Sequence, residues 1–361
     1  MRNVQDIPEF KGARVLVRAD FDVPVDGNGH ITEDFRIFKQ KENLDYLLSR
    51  GAKVVIIAHL SARDSFRDLQ PQLRRLLGRE FAFIKDLADL QESHGDGGSL
   101  YLLDNIRRWK EEVENEPAFA AEIAGGFDYF VNNAFAVSHR EHASVVGLAF
   151  QLPAYAGLLI QQEVHALSQV TDAPAEGKVV VMGGAKAATK VPVIKHFLDR
   201  SEQVLLGGII AIDIMKAKGE DIGPSRVDEQ LERLLEGLDV NDPRLSVHQD
   251  SITQEEAIMD IGPESARRYA EIIRVAKTVI WNGPMGKFED ERFAEGTRSI
   301  AQAIADSEAF SLIGGGDTIA AVNRFGLLDR FDHVSTGGGA MLAFLAGTRM
   351  PGLMPLGVYT K

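Results

Sequence analysis

Two stretches near the carboxyl-terminal end carry residue types and spacings suited to holding phosphate. The first runs from Phe310-Ser311-Leu312-Ile313 into Gly314-Gly315-Gly316-Asp317-Thr318, and the second from His333-Val334-Ser335-Thr336 into Gly337-Gly338-Gly339-Ala340. Each reads as a buried strand, a glycine turn and an apolar-periodic helix. Without a Cβ, backbone N–H groups can approach a phosphate closely, and the helix N-terminus behind them adds partial positive charge. Asp317 offers a carboxylate for Mg²⁺, and Thr318 a hydroxyl for a phosphate oxygen. One glycine triplet is equally a tight strand-to-helix turn, but two together point to phosphate and make Gly315 and Gly338 candidate catalytic positions.

A third glycine turn, Met182-Gly183-Gly184-Ala185-Lys186, is followed by Lys190. Its spacing is not that of a P-loop. On a helix Lys186 and Lys190 face the same way and repel unless an anion separates them; a lysine pair on a wet helix face is the plainer alternative. Trp281-Asn282-Gly283-Pro284-Met285-Gly286, with Glu289 beyond it, supplies another strand-end turn in the same half.

The other half gathers cations. Arg18, Asp20 and Asp22 follow one strand, with Arg36 further on; His59 and Arg63 follow a second. Arg107 follows a third, and His139, Arg140 and His142 a fourth. Open parallel sheets bind ligands at the carboxyl ends of their strands, and guanidinium forks match phosphate and carboxylate oxygens. Each arginine alone could be a solvated surface charge. Their shared placement suits a small phosphorylated acid.

The elements behind these groups alternate. Short β-rich runs at 14–18, 53–58, 100–103, 129–131, 178–182, 203–206 and 278–281 are separated by amphipathic helical runs, which argues for parallel sheets covered by helices. Helices are expected at 38–48, 111–124, 156–169, 191–198, 211–218, 227–238 and 264–276, with the acidic run Glu111 to Glu116 on a solvated face. The fold class is α/β, with two doubly wound, Rossmann-like domains joined by a hinge helix. We expect an amino-terminal acid-binding domain at 1–152, a connecting helix and linker at 153–177, a nucleotide-binding domain at 178–345 and a tail at 346–361.

A chain of 361 residues is comfortable for two cores, and 45% apolar with 26% charged residues is a globular balance. The net charge of −13 argues against nonspecific binding to nucleic acid or anionic membranes, although not against anionic small molecules. Cysteine is absent, which excludes disulfides and thiolate chemistry. The first residues carry no apolar signal core, so a cytoplasmic location is expected.

Taken together these residues resemble the phosphoglycerate kinase family across nearly the whole chain. The resemblance rests on Arg18-Ala19-Asp20-Phe21-Asp22-Val23-Pro24, Leu102-Leu103-Asp104-Asn105-Ile106-Arg107, Val131-Asn132-Asn133-Ala134-Phe135 through His139-Arg140-Glu141-His142-Ala143-Ser144, Gly183-Gly184-Ala185-Lys186, Ile261-Gly262-Pro263-Glu264-Ser265, Trp281-Asn282-Gly283-Pro284 and both glycine triplets. It implies phosphoglycerate on the amino-terminal domain, held by Asp20, Asp22, Arg36, His59, Arg63, Arg107 and Arg140. It implies a Mg-nucleotide, ATP or ADP, on the other domain, held by Gly184, Ala185, Lys186, Lys190, Gly208, Asn282, Glu289, Asp317 and Thr318. Asp317 would face Mg²⁺, Glu289 the ribose, and Arg36 with Lys190 would clasp the phosphoryl group in flight. It further implies a monomer that closes about a hinge, and a tail that returns to the first domain.

Four positions depart from the family pattern. Asp22 stands where the family has asparagine, replacing a group that can donate with an acceptor-only anion. The family's His-Leu-Gly-Arg-Pro loop reads His59-Leu60-Ser61-Ala62-Arg63-Asp64, with the arginine displaced by one. On the nucleotide side Ile209 and Ile258 add branched side chains where a base should lie, which could reshape the pocket. Three functional readings follow: a phosphoglycerate kinase, a paralogue with altered acid or nucleotide specificity, and a noncatalytic anion-binding homologue.

Overall fold

The computed structural model describes residues 1–92 and 99–360. Residues 93–98 and Lys361, the last residue of the expected tail, lie outside the described residues. The chain divides into two compact units, Met1–Val164 with Arg349–Lys361, and His165–Thr348. The helix Leu158–Asp172 carries the boundary between them.

The first unit is built on a parallel six-stranded sheet. Its strands are β1 (Arg14–Arg18), β2 (Lys53–Ile57), β3 (Ala82–Ile84), β4 (Leu100–Leu103), β5 (Tyr129–Asn132) and β6 (Ala154–Ala156), in the order β3-β4-β2-β1-β5-β6. Strand β1 lies between β2 and β5, so the chain winds outwards in both directions from it. Val15, Leu16 and Val17 are all buried, which means that both faces of β1 are covered, as near-continuous apolar strands require. The chain's two ends meet in this unit. Arg2 N donates to Leu356 O at 2.8 Å, Ala156 N donates to Arg2 O at 2.8 Å, and Asn132 Nδ2 donates to Gly352 O at 3.2 Å, while Leu353 and Leu356 are fully buried.

The second unit repeats the plan. Strands β7 (Lys178–Met182), β8 (Gln203–Leu206), β9 (Leu245–Ser246), β12 (Thr278–Asn282), β13 (Phe310–Gly314) and β14 (His333–Ser335) form a parallel sheet in the order β14-β13-β12-β7-β8-β9. An antiparallel hairpin, β10 (Ser251–Gln254) and β11 (Ala257–Ile261), stands apart from it. Trp281 is fully buried at the centre of the core, its indole Nε1 donating to Gly283 O at 2.9 Å.

Three local expectations need correction. The helix expected over 111–124 is two helices, Lys110–Val113 and Pro117–Ala124, because Asn115 turns left-handed at φ 54° and Pro117 starts a new first turn. Glu112 is not on a solvated face but fully buried. The charged helix expected over 227–238 shrinks to Leu231–Leu235.

Candidate active site

At the carboxyl end of β1 in the first unit, a chain of polar contacts, most of them hydrogen bonds, runs through seven side chains. Glu112 accepts from Ser144 N and Oγ at 2.7 and 2.6 Å. Ser144 Oγ in turn accepts from Arg18 Nε at 2.8 Å, and Arg18 Nη2 lies 3.1 Å from His59 Nδ1. Arg18 has only donors, so His59 Nδ1 must be the acceptor and the ring's proton sits on Nε2. Nε2 approaches Asp22 Oδ2 at 3.2 Å, off the line of an ideal hydrogen bond. Asp22 also accepts from Ser61 N at 2.7 Å and Ser61 Oγ at 3.2 Å, and Arg107 Nη1 donates to Ser61 Oγ at 3.1 Å.

The electrostatics follow from this wiring. Burial pushes His59 down to about 4, against the pull of Asp22 and with the push of Arg18, so the ring is neutral at pH 7. Burial works to raise Asp22, but the donors from His59 and Ser61 outweigh it and hold the carboxyl well below the ordinary range. Serine at position 61, where the family pattern has glycine, therefore supplies a hydroxyl to the carboxylate at position 22, where the family has asparagine. The two departures form one bonded pair.

Around this chain lie the remaining cations. Arg36 Nε is 3.6 Å from Asp20 Oδ2, and its Nη1 donates to Asp22 O at 2.9 Å. Arg107 keeps Nε and Nη2 buried without a partner, and its acidity is increased by burial and by Arg140 close by. Burial, with Arg107, Arg140 and Arg18 adding, lowers His142 to about 4. A half-buried guanidinium with unspent donors beside a like charge is an anion-binding arrangement. Arg63 is turned elsewhere: it is exposed and its Nη2 donates to Asp26 O at 3.0 Å.

In the second unit, β7 and β12 are neighbours at the point where the winding reverses, the usual ligand crevice of such a sheet. Their glycine turns interlock. Gly183 N donates to Asn282 O, Gly184 N to Pro284 O at 2.7 Å, and Gly208 N to Met285 O at 2.7 Å. Gly208 sits at φ 56°, and a Cβ on it would stand 2.4 Å from Gly184 N, so only glycine permits this approach. The two glycine triplets also abut: a Cβ at Gly338 would lie 3.0 Å from Gly315 Cα. Asn282 Nδ2 donates to Gly314 O at 2.7 Å, while the buried Thr318 accepts from Gly283 N through Oγ1 at 2.7 Å.

Lys190 is buried on the helix Ala187–Leu198, and a Cβ at Gly184 would be 3.5 Å from its Nζ. Burial lowers the ammonium to about 8, Asp317 opposing and Lys186 reinforcing the shift. Lys186 and Ala185 are exposed, as are Glu289 and Asp317. Gly184, Ala185, Gly208, Glu289 and Asp317 line one cavity of about 530 Å³, within the range of small-molecule sites. Asp317 is a fitting contact for Mg²⁺, which binds through one or two carboxylates with phosphate oxygens and waters completing its shell. Among the described residues no three acidic or imidazole side chains gather into an all-protein cage.

The chain as a whole matches a known family. The family model for phosphoglycerate kinase covers residues 4–348. The chain belongs to the phosphoglycerate kinase family. It is 37% identical to a phosphoglycerate kinase of Coprothermobacter proteolyticus over 99% of this chain and 98% of that one, and 39% identical to that of Rubrobacter xylanophilus over 98% of each. Among solved structures, the phosphoglycerate kinase of Pyrococcus horikoshii superposes with a TM-score of 0.89 at 32% identity, covering 99% of this chain and 98% of that chain. That of Coxiella burnetii superposes with 0.85 at 34% identity over 99% of each.

The cavity also has walls that the sequence reading missed, Arg226 and His248 among them, with Ala257, Met259 and Asp260 of β11 beside the Ile258 that it named. The hairpin turns through Glu255 and Glu256, both left-handed at φ 51° and 66°. Turns of this kind normally announce themselves with Asn-Gly or Asp-Gly, so a Glu-Glu turn leaves no signal. Alternation in Ser251-Ile252-Thr253-Gln254 was the only available cue.

Proposed function

We propose that this chain transfers a phosphoryl group reversibly, with Mg²⁺, between 1,3-bisphosphoglycerate and ADP, giving 3-phosphoglycerate and ATP. The reaction is a step of lower glycolysis, gluconeogenesis or carbon fixation. The observation that carries the reading is Lys190, a buried ammonium against the glycine cradle of the second unit.

In this reading Arg107 and Arg140 hold the substrate phosphate and Asp20, Asp22, His59 and Arg36 orient the rest of the acid, while Arg63, turned to the Asp26 carbonyl, takes no part. Gly184, Ala185, Gly208 and Asn282 shape the nucleotide cradle, Lys186 and Thr318 serve the phosphates, and Glu289 faces the ribose. Mg²⁺ held by Asp317 supplies charge neutralisation on the nucleotide's phosphates. In the direction of ATP use, the acid's carboxylate oxygen forms a bond to phosphorus as the bond to the β-phosphate's bridging oxygen breaks. Lys190, Arg36 and the backbone donors about Gly315 and Gly338 stabilise charge on the peripheral oxygens of the group in transit. No covalent enzyme intermediate is required. The acid and the nucleotide reside on different units, so turnover needs a hinge motion that brings the rims together and excludes water. We infer a monomer acting in the cytoplasm.

The bonded pair Asp22 and Ser61 favours a second reading, in which the preferred acid offers a hydrogen-bond donor where phosphoglycerate offers an acceptor. Turnover of 3-phosphoglycerate with Mg-ATP, coupled to reduction of the acyl phosphate, tests the first reading. Lys190-dependent turnover supports it; absence of turnover with both ATP and GTP moves the paralogue and the binding protein ahead.

A further inference from the structure

Resting on the acid assignment above, we propose that Ser61 is a further positioning residue of the first unit's site, whose hydroxyl tethers the Arg107 guanidinium where the acid's phosphate is to be received. The family pattern has glycine at this position, so the tether is this chain's own.

Arg107 has few other restraints. Among the described residues its side chain makes one hydrogen bond, from Nη1 to Ser61 Oγ at 3.1 Å, and no ion pair, while Nε and Nη2 have no partner. Arg140 is close enough to work against its charge. A long side chain beside a like charge has to be ordered each time an anion binds, unless something holds it beforehand.

Ser61 is itself held firmly enough to do so. Its N donates to Asp22 Oδ1 at 2.7 Å, and its hydroxyl gives its hydrogen to Asp22 Oδ2 at 3.2 Å, which leaves the lone pairs of Oγ to Arg107. A hydroxyl that donates to a carboxylate is the better acceptor for it. The charge of Asp22, adverse to an anionic acid in itself, thus acts through Ser61 on the guanidinium. Asn105 fixes the spacing between the two segments. Its Oδ1 accepts from Leu60 N at 3.3 Å and from Arg107 N at 3.1 Å, and its Nδ2 donates to Leu60 O at 2.8 Å and to Arg63 O at 2.9 Å.

The tether spends Nη1 alone and leaves the other donors of Arg107 unspent. Arg63, the displaced arginine of the same loop, is turned to Asp26 O. A rim that is one guanidinium short gains most from fixing one that remains.

Calorimetric titration of the purified full chain with 3-phosphoglycerate, beside steady-state kinetics, tests this. Ser61 is an exposed loop residue, so its variants should keep the fold, which a thermal melt checks. Ser61→Ala should weaken 3-phosphoglycerate roughly three- to tenfold while kcat and the nucleotide KM stay within about twofold, because only the ordering of Arg107 is lost. Ser61→Thr, which keeps the hydroxyl, should restore the affinity. In an Arg107→Lys background, which keeps the charge but not the fork, Ser61→Ala should add no more than about a twofold loss. Unchanged affinity in Ser61→Ala, no rescue by threonine, or the full further loss in the Arg107→Lys background overturns the proposal and leaves the kinase reading standing; the last of these would make the serine act through Asp22 alone. Failure of the unaltered chain to bind 3-phosphoglycerate overturns both.

Discussion

Replacing Asp22 by asparagine separates two effects that this site combines. The carboxylate sits on the rim that is to receive an anionic acid, a quarter exposed and held ionised by Ser61 and His59. At an effective dielectric of about 20, unit charges about 7 Å apart repel by about 2 kcal/mol, and salt screens part of this. Removing the charge should therefore lower the KM for 3-phosphoglycerate roughly three- to tenfold. The same change disturbs the hydrogen-bond chain. The introduced amide can still accept from Ser61 N, but its NH₂ then faces His59 Nε2–H, and His59 cannot switch tautomer while Arg18 donates to Nδ1. One mismatched buried donor costs about 1–3 kcal/mol of stability, or several degrees of melting temperature for a unit of this size. Steady-state kinetics in the coupled assay and a thermal melt on the same preparation read the two effects separately. A KM that is unchanged or raised, in a variant still folded at the assay temperature, refutes the electrostatic argument.

Three further outcomes are expected. Lys190→Ala should lower kcat by roughly 10²–10³-fold with a much smaller change in the nucleotide Kd, because the ammonium acts on charge that peaks in transit; an equal loss in both would make it a ground-state contact. Gly208→Ala should prevent the cradle from forming, since its Cβ would meet Gly184 N, and a variant with normal nucleotide binding would contradict the close packing described above. The units should differ in their response to acid. His59 and His142 in the first unit are lowered to about 4 from 6.5, so the native state binds fewer protons than the unfolded one between those values and stability falls as pH drops from 6.5 towards 4; the raised Asp20 and Glu33 oppose this chiefly nearer their own unfolded values. In the second unit His248 behaves likewise, but Asp260, pushed up to about 7 by burial, contributes stability that is lost as pH rises, and the two largely offset. Trp109 and Trp281 report one unit each, so single-tryptophan variants unfolded in denaturant at pH 6.5 and pH 5 should show the larger loss at Trp109.

The strands that organise both rims were legible because they are buried on both faces. Val179, Val180 and Val181 in β7, or Val54 to Ile57 in β2, form apolar runs too dense for a half-exposed strand. Glycine, arginine and lysine at the ends of such runs then fall at a ligand crevice by topology alone. Local sequence could not show partners brought from far along the chain. Glu112 looks like one of a row of solvated acids, yet Ser144, thirty-two residues later, buries it and makes it the terminus of the chain of bonds to Asp22. Arg63 keeps the right type of side chain but spends a donor on the Asp26 carbonyl. The three-residue strands Ala82–Ile84 and Ala154–Ala156 carry too few positions to display a period, and both sit at the edges of their sheet.

The pairing of Arg2 with Leu356 and of Asn132 with Gly352 bears on how the protein is made. A ribosome completes residues 1–164 long before it reaches 349–361, and the whole of the second unit comes between. The first unit must therefore wait, partly assembled, with Arg2 and Asn132 lacking their last partners, while the second emerges and folds. A message cut short within the second unit would yield a polypeptide whose first unit cannot close. Such a product would expose the surfaces that Leu353 and Leu356 normally bury, and proteases would meet it before substrate did.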